Sequence, residues 1–423
     1  MARIAHKKHR HSATEIVRTL HNAGFVAYFA GGCVRDELLG LEPEDYDIAT
    51  DARPEQVRGL FRRVDEVGAS FGVMLVRHEG ATVEVATFRR EGHYSDRRRP
   101  DSVEYADAEA DAKRRDFTIN ALFLDPLDTG AGGSGRVIDH VGGREDLARR
   151  VLRAVGDADA RLNEDHLRAL RAVRHASRLG FEIDSATADA ITRHARELLG
   201  VSRERIGEEV RRMLTHPSRA LAASRLQRLG LDAPTLGEPN ALCETPTLAG
   251  LGDDAPYPTA LGAWALDRAA AGRRVSAARI RETAPGILDR WRTALCLSND
   301  ERAALRDVLE GVAILEQDWP SSGVAAQKRA VATPWFAQSM ALVRARDAAL
   351  AASVSARVEE LAKIAQGIAP APFLTGDDLV AAGFTPGPGF RAWLDVAYDA
   401  QLEGRIHDKA GALELVRRVR AQS

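Results

Sequence analysis

A mixed α/β head followed by an all-helical remainder is the architecture this sequence predicts, and three observations carry the prediction. Over roughly the first 125 residues, short apolar runs alternate with amphipathic stretches, the pattern of a modest mixed sheet with helices. After Asp139 helical spacing replaces that alternation and continues to the end. The composition, 45% hydrophobic and 28% charged over 423 residues, allows a sizeable core and roughly two to four domains.

A first helix is expected to open at Ser12, with Glu15 three residues on completing a capping box. It would bury Ile16, Val17 and Leu20 and end near Gly24. The basic stretch before it, residues 6–11 (HKKHRH), reads as a solvated tail, with an auxiliary RNA contact as the other reading. Residues 25–30 read as a buried strand broken by Gly31-Gly32. Further strands are expected at 46–49, 64–67, 73–77 and 83–88, and Pro54, a favoured first-turn residue, opens a helix among them. Residues 163–179, 184–198 and 202–214 show helical spacing behind residue types favoured at N-caps. From Pro217 the chain is helical and rich in alanine and arginine, with turn-rich segments near 231–258, 318–322 and 368–390. No internal repeat of fixed period is found. The predicted division is a catalytic head over 1–150, a helical neck over 151–215, and a helical body and tail over 216–423.

The formal net charge of −2 argues against a wholly electrostatic nucleic-acid coat but leaves room for a local basic surface. Cys33, Cys243 and Cys296 stand far apart without CxxC spacing. Neither a structural zinc site nor a disulfide framework is expected, and the cytoplasm is the predicted compartment. No apolar run approaches the roughly 20 residues of a membrane span. The N-terminus lacks the apolar core of a secretory signal, so no membrane association is expected.

The chemistry concentrates in the head. GGCVRD (31–36) follows a strand and opens a helix, and Asp45-Tyr46-Asp47 comes soon after, at the start of a strand. Residues i and i+2 of a strand share a face, so Asp45 and Asp47 are expected to project together. Like charges held that close repel unless a cation sits between them, and magnesium suits one or two carboxylates plus substrate phosphates. Glu84, in Val83-Glu84-Val85-Ala86-Thr87, is a third acid, placed where an apolar strand would not bury a charge without reason. Carboxylates on neighbouring strands can hold two metals about 4 Å apart, so a pair of magnesium ions is the expected cofactor. Gly31 and Gly32 would let backbone N–H groups approach a triphosphate, and Arg35 could reach the same phosphates. A D-x-D or a Gly-Gly alone is more often a turn; their order along the chain points to chemistry.

These residues resemble the class II branch of the tRNA nucleotidyltransferase and poly(A) polymerase family. GGCVRD with DYD is similar to the family's first motif, RRDFTINA (114–121) to its second and IDHVGGREDL (138–147) to its third. NEDHLRALRAVR (163–174) is similar to its fourth and SRERIGEEV (202–210) to its fifth, all in family order. The resemblance implies a nucleotidyltransferase head on a helical neck, body and tail. It implies an enzyme that adds CCA to the 3′ end of tRNA from CTP and ATP, and it does not imply a protein partner. Asp45 and Asp47 would be the metal ligands, supported by Glu84. Gly32 and Arg35 would contact the triphosphate and Arg115 the nucleotide, and Asp116 would accept a hydrogen bond from a ribose hydroxyl. Taken alone, Arg114-Arg115-Asp116 would read as a salt-bridge cluster at a helix start.

In the fourth motif Asp165, Arg168, Arg171 and Arg174 recur every three residues along one helix face, while Leu167, Leu170 and Val173 supply a buried stripe. The resemblance implies that Asp165 and Arg168 read the base edge of CTP or ATP, an acceptor beside a fork of donors. Arg171 and Arg174 would support the base or the phosphates. Residues 90–101, polar and arginine-rich, resemble the loop that family members need to switch from CTP to ATP, and residues 374–389 resemble a tail element that grips tRNA. A poly(A) polymerase, and an A-adding enzyme working with a separate CC-adding enzyme, share the head motifs and stay open. A non-catalytic RNA-binding protein would be expected to lack an acid of the D-x-D. A fused phosphohydrolase of the HD type would need partners that the lone His407-Asp408 pair does not have.

Overall fold

The computed structural model describes residues 2–66, 72–91, 103–128, 135–270, 275–387 and 389–422, with backbone alone for 2–8, 91, 103 and 422. The chain divides into two compact units, Met1–Glu209 with Arg228–Thr235, and Val210–Gln227 with Leu236–Ser423. No helix among the described residues is long and apolar enough to cross a membrane.

The first unit opens with α1 (Ala2–Asn22), β1 (Ala27–Ala30), α2 (Gly32–Leu38), β2 (Asp47–Thr50) and α3 (Pro54–Leu60). Strands β3 (Val64–Glu66), β4 (Val73–His78) and β5 (Ala81–Thr87) follow, then the antiparallel pair β6 (Arg89–Glu91) and β7 (Val103–Tyr105). Helix α4 (Ala108–Lys113) leads to β8 (Phe123–Asp125) and β9 (Arg136–Ile138). Among the described residues a seven-stranded sheet runs in the order β3-β4-β5-β2-β1-β8-β9. Strands β2 and β5 are parallel and the other neighbours antiparallel, so the sheet is mixed, as the alternation predicts.

Alternation along β5 buries Ala81, Val83, Val85 and Thr87 and leaves Thr82 and Glu84 exposed. Glu84 is therefore not a buried charge in an apolar strand. It belongs to the strand's open face, and period-two alternation accounts for it. The core beside the sheet is aromatic: Phe88 and Phe123 meet edge to face with centroids 5.7 Å apart, and Tyr28 leans on both.

Helix α1 runs from Ala2, so Ser12 does not cap it. Ser12 is buried within the helix beside an inner face of Ala13, Ile16, Val17 and Leu20. Packing of that face outweighs the local capping signal and carries the helix through the basic stretch. Arg10 from that stretch is not solvated tail: its Nε donates to Glu37 Oε1 at 2.7 Å.

The third motif is a bracket. Asp139 accepts hydrogen bonds from the N–H groups of Val141, Gly142, Gly143 and Arg144, which starts α5 (Gly143–Arg149). Asp146 then accepts from the Thr118 hydroxyl at 2.7 Å and from Arg153, tying α5 to the 3-10 turn Thr118–Asn120. Strand β10 (Val151–Leu152) leads into α6 (Ala158–Glu164) and α7 (Arg168–Leu179); β11 (Glu182–Ile183) pairs in parallel with β10. Helices α8 (Ser185–Arg193) and α9 (Arg203–Leu214) follow. The single helix expected over 163–179 is thus broken at Asp165, whose backbone is extended (φ −153°, ψ 104°).

The second unit is helical. Helices Tyr257–Ala270, Ala277–Ala294 and Asn299–Ala313 pack together, with Trp264 and Trp291 wholly buried and their rings 5.7 Å apart. Arg219, 1% exposed, donates to the carbonyls of Leu214, Gly252 and Asp253, which satisfies a buried guanidinium without a carboxylate. In the tail, Thr375 and Asp378 form a capping box on helix Gly376–Ala381. Gly383 turns with φ +84°, and Leu379, Phe384, Ala397 and Val416 close a local core.

A Cβ on Gly143 would lie 2.2 Å from the Thr118 carbonyl oxygen. Gly143→Ala must push the 3-10 turn away from α5, and urea unfolding is expected to show a loss of about 1–3 kcal/mol. An unchanged midpoint would mean the bracket is slack.

Candidate active site

A cleft of about 470 Å³ opens in the first unit, lined among others by Gly31, Gly32, Arg35, Asp47, Glu84, Arg115, Asp116, Asp165, Arg168 and Arg171. Of the residues singled out by sequence, Asp45 and Arg174 are not in its wall.

Register puts the acids together. In the parallel β2–β5 pair Asp47 is the direct partner of Glu84, and both side chains are on exposed positions. Desolvation by the surrounding protein, and then the charge of Glu84, push the Asp47 pKa up to about 6. Desolvation likewise raises Glu84, with Arg89 pulling the other way and Asp45 adding to the rise. Strand β2 begins only at Asp47, so Asp45 is not its i−2 neighbour on one strand face. It lies in the exposed approach to the strand, and its negative charge is still felt by both other acids.

The donor set is carboxylate oxygen, which hard divalent cations favour, and magnesium needs only one or two such groups beside substrate phosphates. A raised carboxylate next to a like charge is what a bound cation would relieve. Asp47 and Glu84 therefore fit a magnesium site, with the Asp45 charge close enough to add to it. Among the described residues no group of three His, Cys, Asp or Glu side chains is arranged to hold a metal by itself.

The glycine turn is built around a positive φ. Gly31 has φ +75°, and a Cβ there would come within 2.9 Å of Arg115 Nη1. Its own N–H donates to the Leu122 carbonyl at 3.0 Å, so that group does not face a phosphate. The amides from Gly32 onward begin α2, where a helix has no internal acceptor for them. Arg35 is 5% exposed and held by Asp36 and Asn120, with Nη1–Oδ1 2.6 Å to the latter. Arg115 donates to Asp111 and to the Asn120 carbonyl and lies 5.1 Å over the Phe123 ring. Arg114 and Arg115 follow the end of α4, not a helix start, and Asp111 grips both.

Asp116 is fully engaged. Its Oδ1 accepts from the Phe117 N–H and Asn120 Nδ2, and its Oδ2 from Arg171 Nε and Nη2 at 2.9 and 2.7 Å. Burial alone would raise its pKa, but the Arg171 charge and its hydrogen bonds hold it well below the usual carboxylate range. His175 lies beside this pair; burial and the neighbouring Arg174 and Arg171 keep its imidazole well below its ordinary pKa.

Asp165 accepts the Leu167 N–H on Oδ1 and Arg205 Nη2 on Oδ2. That turn is why α6 and α7 separate there. Arg168 is braced by Glu164 and the Arg161 carbonyl. Arg174 donates to Glu209, Nε–Oε2 2.6 Å, a carboxylate that Arg171 also approaches at 3.9 Å; of the three motif arginines, Arg168 and Arg171 line the cleft and Arg174 does not. Sequence reasoning missed Asp111, Asn120, Arg205 and Glu209. The spacing of Asp111 three and four residues ahead of Arg114 and Arg115 was a readable signal. Arg205 and Glu209 find partners 40 and 35 residues away, which no local pattern reveals.

Residues 92–101, most of the arginine-rich loop, lie outside the described residues.

Residues 27–153 match the poly A polymerase head domain, and residues 180–240 match the "probable RNA and SrmB-binding site of polymerase A". Similar curated proteins include a CCA-adding enzyme of Geobacillus thermodenitrificans, 44% identical over 53% of this chain and 55% of the relative. Another, from Lactiplantibacillus plantarum, is 41% identical over 55% of this chain and 56% of the relative. The chain spans about half the length of the curated relatives it matches. A solved CCA-adding enzyme of Bacillus stearothermophilus in complex with CTP superposes with a TM-score of 0.75 at 28% identity, covering 97% of this chain and 98% of that one. A CCA-adding enzyme of Thermotoga maritima complexed with tRNA shares the fold at a TM-score of 0.65 and 19% identity, over 96% and 94% of the two chains.

Removing Arg171 leaves a buried carboxylate without its cation, so Arg171→Met is expected to cost about 3–5 kcal/mol near neutral pH. A folded pKa held below the unfolded value stabilises above the ordinary carboxylate pKa of about 4 and loses that stabilisation as pH falls toward the folded value. Without Arg171, burial raises the Asp116 pKa in the variant, so the gap between wild type and variant should begin to narrow above about pH 4, as that raised group takes up its proton, and go on narrowing below it as wild type loses its own stabilisation. A gap independent of pH in urea titrations would assign the effect to packing.

Proposed function

We propose, from the matches over residues 27–153 and 180–240, that the chain is a member of the tRNA nucleotidyltransferase and poly(A) polymerase family and that it adds CCA to the 3′ end of tRNA from CTP and ATP. The observation that carries the proposal is the in-register Asp47–Glu84 pair opposite the Gly31-Gly32 turn in a cleft that also holds Asp165 and Arg168. An acidic site beside a glycine turn that opens a helix, and a base-reading pair, is what nucleotidyl transfer needs. The CTP complex of the similar solved enzyme is in keeping with the substrate class.

On this reading Asp45 and Asp47 hold two magnesium ions and Glu84 supports them. When bound, the ions activate the attacking 3′-hydroxyl and stabilise the leaving pyrophosphate. The Gly31-Gly32 turn and Arg35 orient the triphosphate, with Arg115 behind the turn. Asp165 and Arg168 present an acceptor and a donor fork to the Watson–Crick edge of the incoming base, held there by Arg205 and Glu164. Asp116 anchors Arg171 and reaches a ribose hydroxyl only by exchanging one of its present partners. Residues 1–150 are then the catalytic head, 151–215 the nucleotide-reading neck, and 216–423 the body and tail that hold tRNA.

Single-nucleotide extension of tRNA transcripts ending at the discriminator base, at C and at CC separates the relatives. Addition of CC and then one A is expected. Addition of A only, and only at the CC end, would make this an A-adding enzyme, and unbounded A addition to any RNA a poly(A) polymerase. Asp45→Ala and Asp47→Ala are expected to abolish transfer in folded protein; full activity in either would sink the cation site. Arg168→Ala should erode the choice between CTP and ATP by roughly tenfold, since a bidentate base contact discriminates by about 1–3 kcal/mol. An unchanged preference would remove Arg168 from base reading.

A further inference from the structure

Tyr46 stands between the two aspartates of the D-x-D and points inward. It is 3% exposed, its ring centroid lies 5.0 Å from that of Phe29 on β1, and its hydroxyl donates to Glu37 Oε1 at 2.5 Å. Glu37, at the end of α2, also accepts from Arg10 on α1, with Nε–Oε1 2.7 Å and Nη2–Oε2 3.3 Å. The Arg10 guanidinium lies 5.7 Å over the Phe29 ring. Arg10 is itself fixed, because Ala13, Ile16, Val17 and Leu20 bury the face of α1 one turn further on.

Residues 41–46 carry neither helix nor strand, yet they deliver Asp45 next to two other acids. Mutual repulsion would splay such a segment. A tyrosine pinned at its ring and at its hydroxyl resists that motion, and groups behind metal ligands set ligand orientation. Resting on the reading of Asp45 and Asp47 as cation ligands, we propose that Arg10, Glu37 and Tyr46 form a positioning clamp for the D-x-D. The basic N-terminal helix is thereby a part of the cation site's support. None of the three touches a reacting atom; they act through the backbone of the aspartates.

The test uses the full chain and manganese(II) as a paramagnetic probe, titrated by EPR without nucleotide, together with the magnesium dependence of CMP addition to a tRNA transcript. Tyr46→Phe deletes one hydroxyl, Arg10→Met keeps a chain over Phe29, Arg10→Lys keeps the charge without the fork, and Asp47→Asn is the control. Tyr46→Phe and Arg10→Met should each weaken manganese binding and raise the half-saturating magnesium concentration on the order of tenfold, with Arg10→Lys between them and wild type. The KM for CTP at saturating magnesium should stay within about twofold of wild type. If both variants keep wild-type manganese affinity while Asp47→Asn loses it, the clamp is overturned and the cation site stands; a fall in melting temperature with unchanged manganese affinity overturns it equally. If Asp47→Asn binds manganese and transfers CMP like wild type, the cation-site reading fails and the clamp with it.

Discussion

The parallel pairing of β2 with β5, which sets Asp47 directly opposite Glu84, is the constraint on which the cleft depends. Neighbouring strands are about 4.8 Å apart, so two carboxylates on facing positions cannot avoid each other. Desolvation is the larger cause of the raised Asp47 pKa, and the facing Glu84 charge adds to it. The sheet tolerates the pair because the other faces of both strands are buried, with Ile48 and Val85 each about 1% exposed. A slip of one residue would turn those apolar side chains outward and the acids inward. Hydrophobic burial therefore holds the register, and the register holds two negative charges together. The destabilisation built into the acids is what gives a cation something to relieve.

The remainder of the cleft follows the opposite rule. Its arginines are not mobile charges: Arg35, Arg115, Arg168 and Arg171 are each bound to a named acid or amide. Fixed guanidinium groups need little reorganisation when an anion arrives, which is where electrostatic sites gain most over water. The same pairing reconciles an arginine-lined cleft with a net charge of −2 for the whole chain. Burial first, and then the charges of Arg174 and Arg171, hold the His175 imidazole well below its ordinary pKa.

Much of this was legible in the sequence where a period or a backbone requirement spoke. Strands β1 to β5 lie where alternation predicts them, and the mixed head with helices behind it follows from the change of period near Asp139. The positive φ of Gly31 answers to a Gly-Gly at a strand end. Three things were not legible. The start of α1 was misread because a local capping pattern at Ser12 competes with a buried face that only the folded sheet supplies. The helix break at Asp165 was missed because a three-residue spacing continues across it and hides the local turn from the Leu167 N–H to Asp165 Oδ1. The outward face of Glu84 was misread because the strand's apolar composition hides its alternation.

The motifs also divide by the kind of work they do. Asp47, Glu84, Asp165 and Arg168 face the cleft, but IDHVGGREDL contributes no lining residue. Its Asp139 and Asp146 hold α5 against the turn Thr118–Asn120, and Asn120 in turn holds Arg35 and Asp116. SRERIGEEV acts in the same way, with Arg205 on Asp165 and Glu209 on Arg174. A sequence motif outside the cleft wall can therefore act on the cleft through the residues that line it. Geometry at the reacting atoms is set by the partners of the lining residues, and a small displacement there is enough to cost orders of magnitude in rate.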